Sequence, residues 1–542
     1  MINTNMTLYE ALRSLAEDRP KQVSIILGDE RITFAQVIEH VDLLARYLYG
    51  KGIKKGDKIL VLLSSGPLYA YSFFAAARIG AVFVPLNPQT KPRSLRIAVQ
   101  ETQPTLALLE NSFEEIKNDP ALIPCPILFS DELRNILQNP PPELPADKDL
   151  ADIDVKPSDL QVILYTSGTT GAPKGVMHTH KSLIAPVLAT TKVRERWMSK
   201  IDLKWFGRSV KALARYRMRL LRVAGKPMTF LSTAGWHGMT GLEVMLQGFL
   251  MGDRLVVMTH FHPREALRLI EKEKVTIFVA VPMMLRMILK VYQQEKFDTS
   301  SLLVCAAGGA PCPPTLAQEL QKAFGCAIYI GFGTTETGGG VSVSGMDDSV
   351  EKQTTTIGMP LIDTEVKIVD ENNNPLPPGQ IGELVTRSDG IMMGYYQAPE
   401  ATEKVIDKAG WYYTGDMAVV DDKGYIKIVG RKKDMIIRGG QNVYPAEVEA
   451  FLATYPKVQE SAVFGIPSEI SGETVCAYII PKDGEQIDTQ EILDYCRSEL
   501  EVYKIPSIFR FVEEFPRSDN GKPQKYKMRQ ELIDETMEKQ DE

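Results

Sequence analysis

Apolar residues along this chain fall into short unbroken runs, separated by stretches of amphipathic pattern. KILVLLSSG (58–66) reads as a buried strand running into a turn, residues 68–78 as a helix, and AVFVPLNP (81–88) as the next strand. Strand–helix–strand order predicts an α/β fold built on a parallel sheet. QVILYTSGTTG (161–171), RLVVM (254–258), TIFVAVP (276–282), LLVCAAGG (302–309) and AIYIGFG (327–333) read as further strands, most ending in glycine or proline. The Pro- and Asp-rich stretch 139–159 reads as a surface connection. After about residue 355 short alternating strands take over: TEVKIVD (364–370), GELVTR (382–387) and YIKIVG (425–430). GRKKD (430–434) then opens a last segment with strands SAVFGIP (461–467) and TVCAYIIP (474–481), long enough to be a small domain. No repeat of solenoid length is visible.

Composition narrows the class. The chain has 542 residues, 44% hydrophobic and 24% charged, ordinary for a globular enzyme with a large core. Its 62 basic and 69 acidic residues give a net charge of −7, which argues against a nucleic-acid binder. The six cysteines form no CxxC pair and no zinc spacing, so a reduced, cytoplasmic setting is expected. The N-terminus lacks a basic region followed by an apolar one, so no signal peptide is expected. The most apolar stretch, 72–86, is too short and too interrupted to span a bilayer.

The sharpest chemical signal is YTSGTTGAPKG (165–175), where a strand runs into hydroxyls and glycines closed by Lys174. Glycine lets backbone N–H groups approach an anion, Ser and Thr donate hydrogen bonds, and lysine adds charge, so the segment suits a polyphosphate. It lacks the spacing of a Walker A loop. Gly331-Phe332-Gly333 begins like a dinucleotide fingerprint, but Glu336 stands where the third glycine belongs. GVSVS around Ser342 is not a nucleophile elbow.

Five segments, in order, resemble the adenylate-forming enzymes, in particular the AMP-forming acyl-CoA synthetases: YTSGTTGAPKG, GFGTTE (331–336), WYYTGD (411–416), GRKKDMIIRGGQNVYPAEVE (430–449) and PRSDNGK (516–522). The resemblance implies a large multi-subdomain N-terminal domain, residues 1–432, with two parallel-type α/β sheets and a small β-barrel-like part. A small mobile α+β domain, 433–542, would follow. It implies an ATP-dependent acid–CoA ligase using ATP, Mg²⁺ and coenzyme A: a carboxylate attacks the α-phosphate to give acyl-AMP and pyrophosphate, and the CoA thiol then displaces AMP. The texture of 432–449 is most similar to ligases of medium- or long-chain fatty acids. An aryl or cyclic acid, or a carrier protein as acceptor, stays open, as does monomer or homodimer.

By this resemblance Thr166, Ser167, Gly168, Thr169, Thr170, Gly171 and Lys174 would cradle phosphates, with Thr334 and Thr335 adding hydroxyls. Glu336 would hold Mg²⁺, a cation that prefers oxygen ligands. Gly308, Gly309 and Ala310 would let adenine lie against backbone, with Gly331, Phe332 and Gly333 offering it a flat face. Asp416 and Arg431 would bind ribose. Lys522 would bridge the carboxylate and α-phosphate, lowering their repulsion in the transition state. Lys433 would be the hinge of a rotation that exchanges Lys522 for Arg438, Gly439 and Gly440, past which the pantetheine arm would run. His237, in AGWHGMTG (234–241), would orient the acid or gate its entry. His178 and His180 receive no role, since HTH has no third ligand nearby.

One stretch departs from the family pattern. Residues 192–226 carry twelve Lys/Arg against two acids, +10, leaving −17 for the rest. It reads as an insertion. On a helical wheel Arg208, Lys211, Arg215, Arg219 and Arg222 share one arc opposite Val210, Leu213, Tyr216, Leu220, Leu221 and Val223, with Trp205 and Phe206 ahead. Three readings fit: peripheral contact of 205–223 with an anionic membrane at the inner face of a cell, a helix docked on the body, or steering of anionic ATP and CoA.

Overall fold

The computed structural model of the protein describes residues 2–113, 122–166, 174–199, 216, 219, 225–310, 312–346, 348–468, 471–517 and 523–541. Two seven-stranded sheets form the body. One has the spatial order Gly394–Tyr395, Lys174–Thr179, Leu160–Thr166, Val82–Pro85, Lys58–Leu62, Leu106–Leu109, Ile127–Phe129. Its last five strands run parallel, while Lys174–Thr179 is antiparallel to both its neighbours. The other has the order Ala327–Ile330, Val304–Ala307, Ile277–Ala280, Thr229–Ser232, Arg254–Val256, Val23–Leu27, Glu30–Thr33, parallel throughout except for the final N-terminal hairpin.

Parallel strands are covered on both faces, so they read as continuous apolar runs rather than alternating ones. Ile59, Leu60, Val61 and Leu62 are all fully buried, as are Val162 and Ile163. Helix Pro67–Ile79 packs inside the body, with every residue from Tyr69 to Ile79 buried. Its Arg78 is paired with Asp42 at 2.7 Å and Asp147 at 3.0 Å, as a buried guanidinium requires. This interior packing accounts for the apolar stretch 72–86. Among the described residues no helix is long and apolar enough to cross a membrane.

The segment after residue 355 is a four-stranded antiparallel sheet, Glu365–Val369, Gly382–Arg387, Tyr412–Val420, Ile426–Arg431. The last segment has its own five-stranded sheet and its own core around Ile436, Val448, Val463, Ala477 and Ile492.

Candidate active site

A cavity of about 1150 Å³ gathers the ends of these elements. Thr166 and Lys174 are opposite one another in the antiparallel pair Leu160–Thr166 and Lys174–Thr179, so the phosphate-type segment joins two adjacent strands. Ser167, Gly168, Thr169, Thr170 and Gly171 lie outside the described residues. Thr166 and Lys174 line the cavity. The Lys174 ammonium stands 4.8 Å from the ring centre of Tyr395, a cation–π distance. The Tyr395 hydroxyl donates to Glu336 Oε1 at 2.9 Å. Burial and the adjacent Glu336 carboxylate both raise the Tyr395 pKa, which keeps the phenol a donor.

Glu336 is set by a tight turn. Strands Phe332–Thr334 and Gly339–Val343 pair through Gly333 and Gly340, and a Cβ on Gly333 would fall 2.0 Å from the Gly339 carbonyl oxygen. That approach is what demands glycine there. The Thr335 carbonyl accepts from His178 Nε2 at 2.7 Å, and the Glu336 carbonyl from the Met392 N–H at 2.8 Å. A carbonyl only accepts, so Nε2 carries the proton and Nδ1 faces Ser182 Oγ at 3.0 Å. Burial pushes the His178 pKa down to about 4, in keeping with a neutral ring. His178, unassigned in the sequence, therefore supports Thr335 and Glu336 from behind. His180 is a structural residue whose Nδ1 accepts from the Leu8 N–H at 3.2 Å. Among the described residues no cluster of three His, Cys, Asp or Glu could hold a metal by itself.

Gly308, Gly309, Gly331, Phe332, Gly333, Thr334, Thr335 and Glu336 all line the cavity; Ala310 does not. Asp416 and Arg431 face each other across strands Tyr412–Val420 and Ile426–Arg431, with Arg431 Nε 2.7 Å from Asp416 Oδ1. Asp416 is buried and sits outside the lining, which Arg431 reaches. Beside them Lys432 pairs with the buried Glu383 at 2.7 Å, while Glu383 accepts from the Gly415 N–H at 3.1 Å. Lys433 lines the same rim, its pKa lowered by desolvation.

Arg438, Gly439 and Gly440 are not in the lining. Gly439 and Gly440 have φ of 58° and 78° and form the two-residue turn between Ile436–Arg438 and Gln441–Val443. Two successive positive φ values define a type I′ hairpin turn, so the turn itself requires both glycines. Arg438 donates to the Ile505 carbonyl at 2.7 Å and to Ser507 Oγ at 2.8 Å, binding the last segment together. Lys522 lies outside the described residues.

His237 lines the cavity, its ring folded over Gly235, where a Cβ would come 2.3 Å from Cε1. Burial lowers its pKa to about 4. Its loop is anchored by the Trp236 N–H to Ser65 Oγ at 3.0 Å and by the Tyr69 hydroxyl to the Trp236 carbonyl at 2.8 Å. Beyond it the lining is rich in Met228, Phe230, Met251, Val279, Leu303 and Met346, interrupted by Glu243. Tyr395 and His178 carry no sequence signal of their own. Glu243 does, as the one acid in the apolar segment MTGLEVMLQGFL.

Most of 192–226 lies outside the described residues. Of those described, Tyr216 is buried, and Arg219 donates to the Leu302 carbonyl and, at 2.7 Å, to the Phe324 carbonyl. Arg219, assigned to the basic arc, thus binds the body at this point. Arg194 pairs with the buried Asp253.

A model of AMP-binding enzymes matches residues 12–396, and one of the AMP-binding enzyme C-terminal domain matches 447–522. A feruloyl-CoA synthase from an Amycolatopsis species is 34% identical over 512 residues, 93% of this chain and 94% of that protein. A medium-chain fatty-acid–CoA ligase of Escherichia coli is 30% identical over 553 residues, 97% of this chain and 90% of that protein. The crystal structure of ATP-bound MatB from Rhodopseudomonas palustris superposes with a TM-score of 0.83 at 25% identity, covering 98% of this chain and 99% of that one.

Proposed function

Because the chain belongs to the AMP-binding enzyme family and is an AMP-forming acyl-CoA synthetase using ATP, Mg²⁺ and CoA, we propose that it activates an apolar monocarboxylic acid, first among them a medium- or long-chain fatty acid. The observation that carries this is one cavity holding both halves of the chemistry. A polar end has Thr166, Lys174, Thr335 and Glu336, and an apolar end has Phe230, Met251 and Met346.

In this reading Lys174 and the hydroxyls of Thr166 and Thr335 hold phosphate oxygens. The Glu336 carboxylate offers Mg²⁺ the hard oxygen donor it prefers, and the ion when bound would neutralise phosphate charge. Tyr395 orients that carboxylate through its hydroxyl. Arg431 presents its charge at the rim with Asp416 behind it, where a ribose would seat. Neutral His237 closes the acid end against water, and Lys522 delivers charge to the carboxylate–phosphate pair. The chain divides at 432/433, the turn Lys432–Asp434, with Lys433 as hinge between adenylation and thioester formation. Free CoA is the acceptor, and the enzyme works in the cytoplasm.

A second reading, an aryl acid bearing a hydroxyl, is favoured by the half-buried carboxyl of Glu243 among the apolar lining, whose Oε2 a plain alkyl chain would leave without a donor. The 34%-identical feruloyl-CoA synthase supports it. Acid-dependent pyrophosphate release, measured over fatty and aryl acids with and without CoA, tests both. Release with no acid of either class contradicts the proposal, as does release without formation of acyl-CoA and AMP when CoA is added.

A further inference from the structure

Helix Met239–Leu250 is buried at nine of its twelve positions and bears a single charged side chain, Glu243. That carboxyl is held in place. The Gly340 N–H donates to Oε1 at 3.2 Å, and Gln247 Nε2, one turn along the helix, donates to the same oxygen at 3.1 Å. Oε2 receives no hydrogen bond from the described residues. It lies alongside Gly339, where a Cβ would come within 2.8 Å of it. Glu243 and Gln247 both line the cavity that also holds His237 and Gly340.

A half-buried carboxyl that lines a cavity, with one oxygen satisfied and no donor among the described residues on the other, calls for a ligand or water to complete it. Burial raises the Glu243 pKa to about 7, and no cation offsets the effect. Its ionised form, populated above that value, only accepts hydrogen bonds and is a poor neighbour for a second anion.

We infer that Glu243 is a specificity-determining residue: Oε2 accepts a hydrogen bond from a hydroxyl or amino group carried by the acid, and the carboxyl turns away acids bearing a second carboxylate. This rests on the reading of the apolar compartment as the acid site. Sites built around a hydrogen bond reject analogues lacking it far more strongly than apolar pockets reject an extra methylene.

The test uses three matched acids: cinnamic acid, its 4-hydroxy derivative and its 4-carboxy derivative, with dodecanoic, 12-hydroxydodecanoic and dodecanedioic acids as the aliphatic set. The readout is the ratio of kcat/KM between members of a set within each protein, so a general loss of activity cancels. Wild type should favour the hydroxy acid over the plain acid by about tenfold or more in at least one set, and the dicarboxylic acid should be the worst. Glu243→Ala should bring the hydroxy-to-plain ratio to within about twofold of unity. Glu243→Gln, which keeps the contacts to Gly340 and Gln247, should lift the relative rate with the dicarboxylic acid. Ratios unchanged in both variants overturn the inference while leaving the ligase reading intact. Acid-induced shifts in unfolding temperature read the same ratios without turnover; if no acid of either set shifts wild type or is turned over, the assignment of the compartment fails, and the inference with it.

Discussion

His178 Nε2 donates to the carbonyl oxygen of Thr335 across 2.7 Å, joining strand Lys174–Thr179 to the turn that presents Glu336. A residue three past the phosphate-type segment and the residue before the metal-type carboxylate are thus tied together.

Removing that link should loosen the turn without removing any group that touches substrate. His178→Ala leaves a buried carbonyl short of a donor, worth about 1–3 kcal/mol, so kcat/KM should fall about 5- to 100-fold. His178→Gln, which offers an N–H in a similar place, should recover part of the loss. Steady-state pyrophosphate release checks both variants.

Tyr395 and Glu336 form the next relationship in the chain of contacts. Tyr395→Phe removes the donor to Glu336 Oε1 while keeping the ring beside Lys174. A hydrogen bond to a charged group is worth about 1.5–3 kcal/mol. The expected result is a fall of about tenfold in kcat with a raised requirement for Mg²⁺, measured by titrating the metal at fixed ATP.

Asp416→Asn should weaken the ion pair with Arg431 and raise the KM for ATP by about 10- to 100-fold, with a smaller effect on the KM for the acid. Equal effects on both substrates would separate this pair from the nucleotide end.

His180 fixes a pH dependence of stability. Its folded pKa is depressed to about 4 by burial, below the ordinary value near 6.5. Between those values the unfolded chain binds a proton that the native protein does not, so stability is full above pH 6.5 and falls as pH drops towards 4. The His180→Asn variant should show a shallower fall in Tm between pH 7 and pH 5 than wild type. Identical slopes would contradict the assignment.

Gly440→Ala places a Cβ on a residue at φ of 78°, at a cost of about 1–2 kcal/mol. The last segment should lose stability by that amount, read by hydrogen exchange of residues 436–443.

Much of this was legible in the residues because parallel strands buried on both faces write themselves as unbroken apolar runs. KILVL and VCAA are strands at the expected positions. The N-terminal hairpin Val23–Leu27 and Glu30–Thr33 was not legible as part of the second sheet, since its pairing with Arg254–Val256 spans more than two hundred residues. Motif residues Thr335, Glu336, Arg431 and His237 line one cavity. Arg438, Gly439 and Gly440 do not line that cavity, and the positive φ of the two glycines places them in a tight hairpin turn. Tyr395 and His178 escaped because their meaning lies in partners 59 and 157 residues away.

The most direct test of the central claim uses an acid labelled with ¹⁸O in its carboxyl group. Attack of that oxygen on the α-phosphate, followed by thiol displacement at the acyl carbon, leaves one labelled oxygen in AMP. Mass spectrometry of the products of one turnover should find one ¹⁸O in AMP and none in pyrophosphate. Label in phosphate or pyrophosphate, or AMP without label, would contradict an acyl-adenylate route.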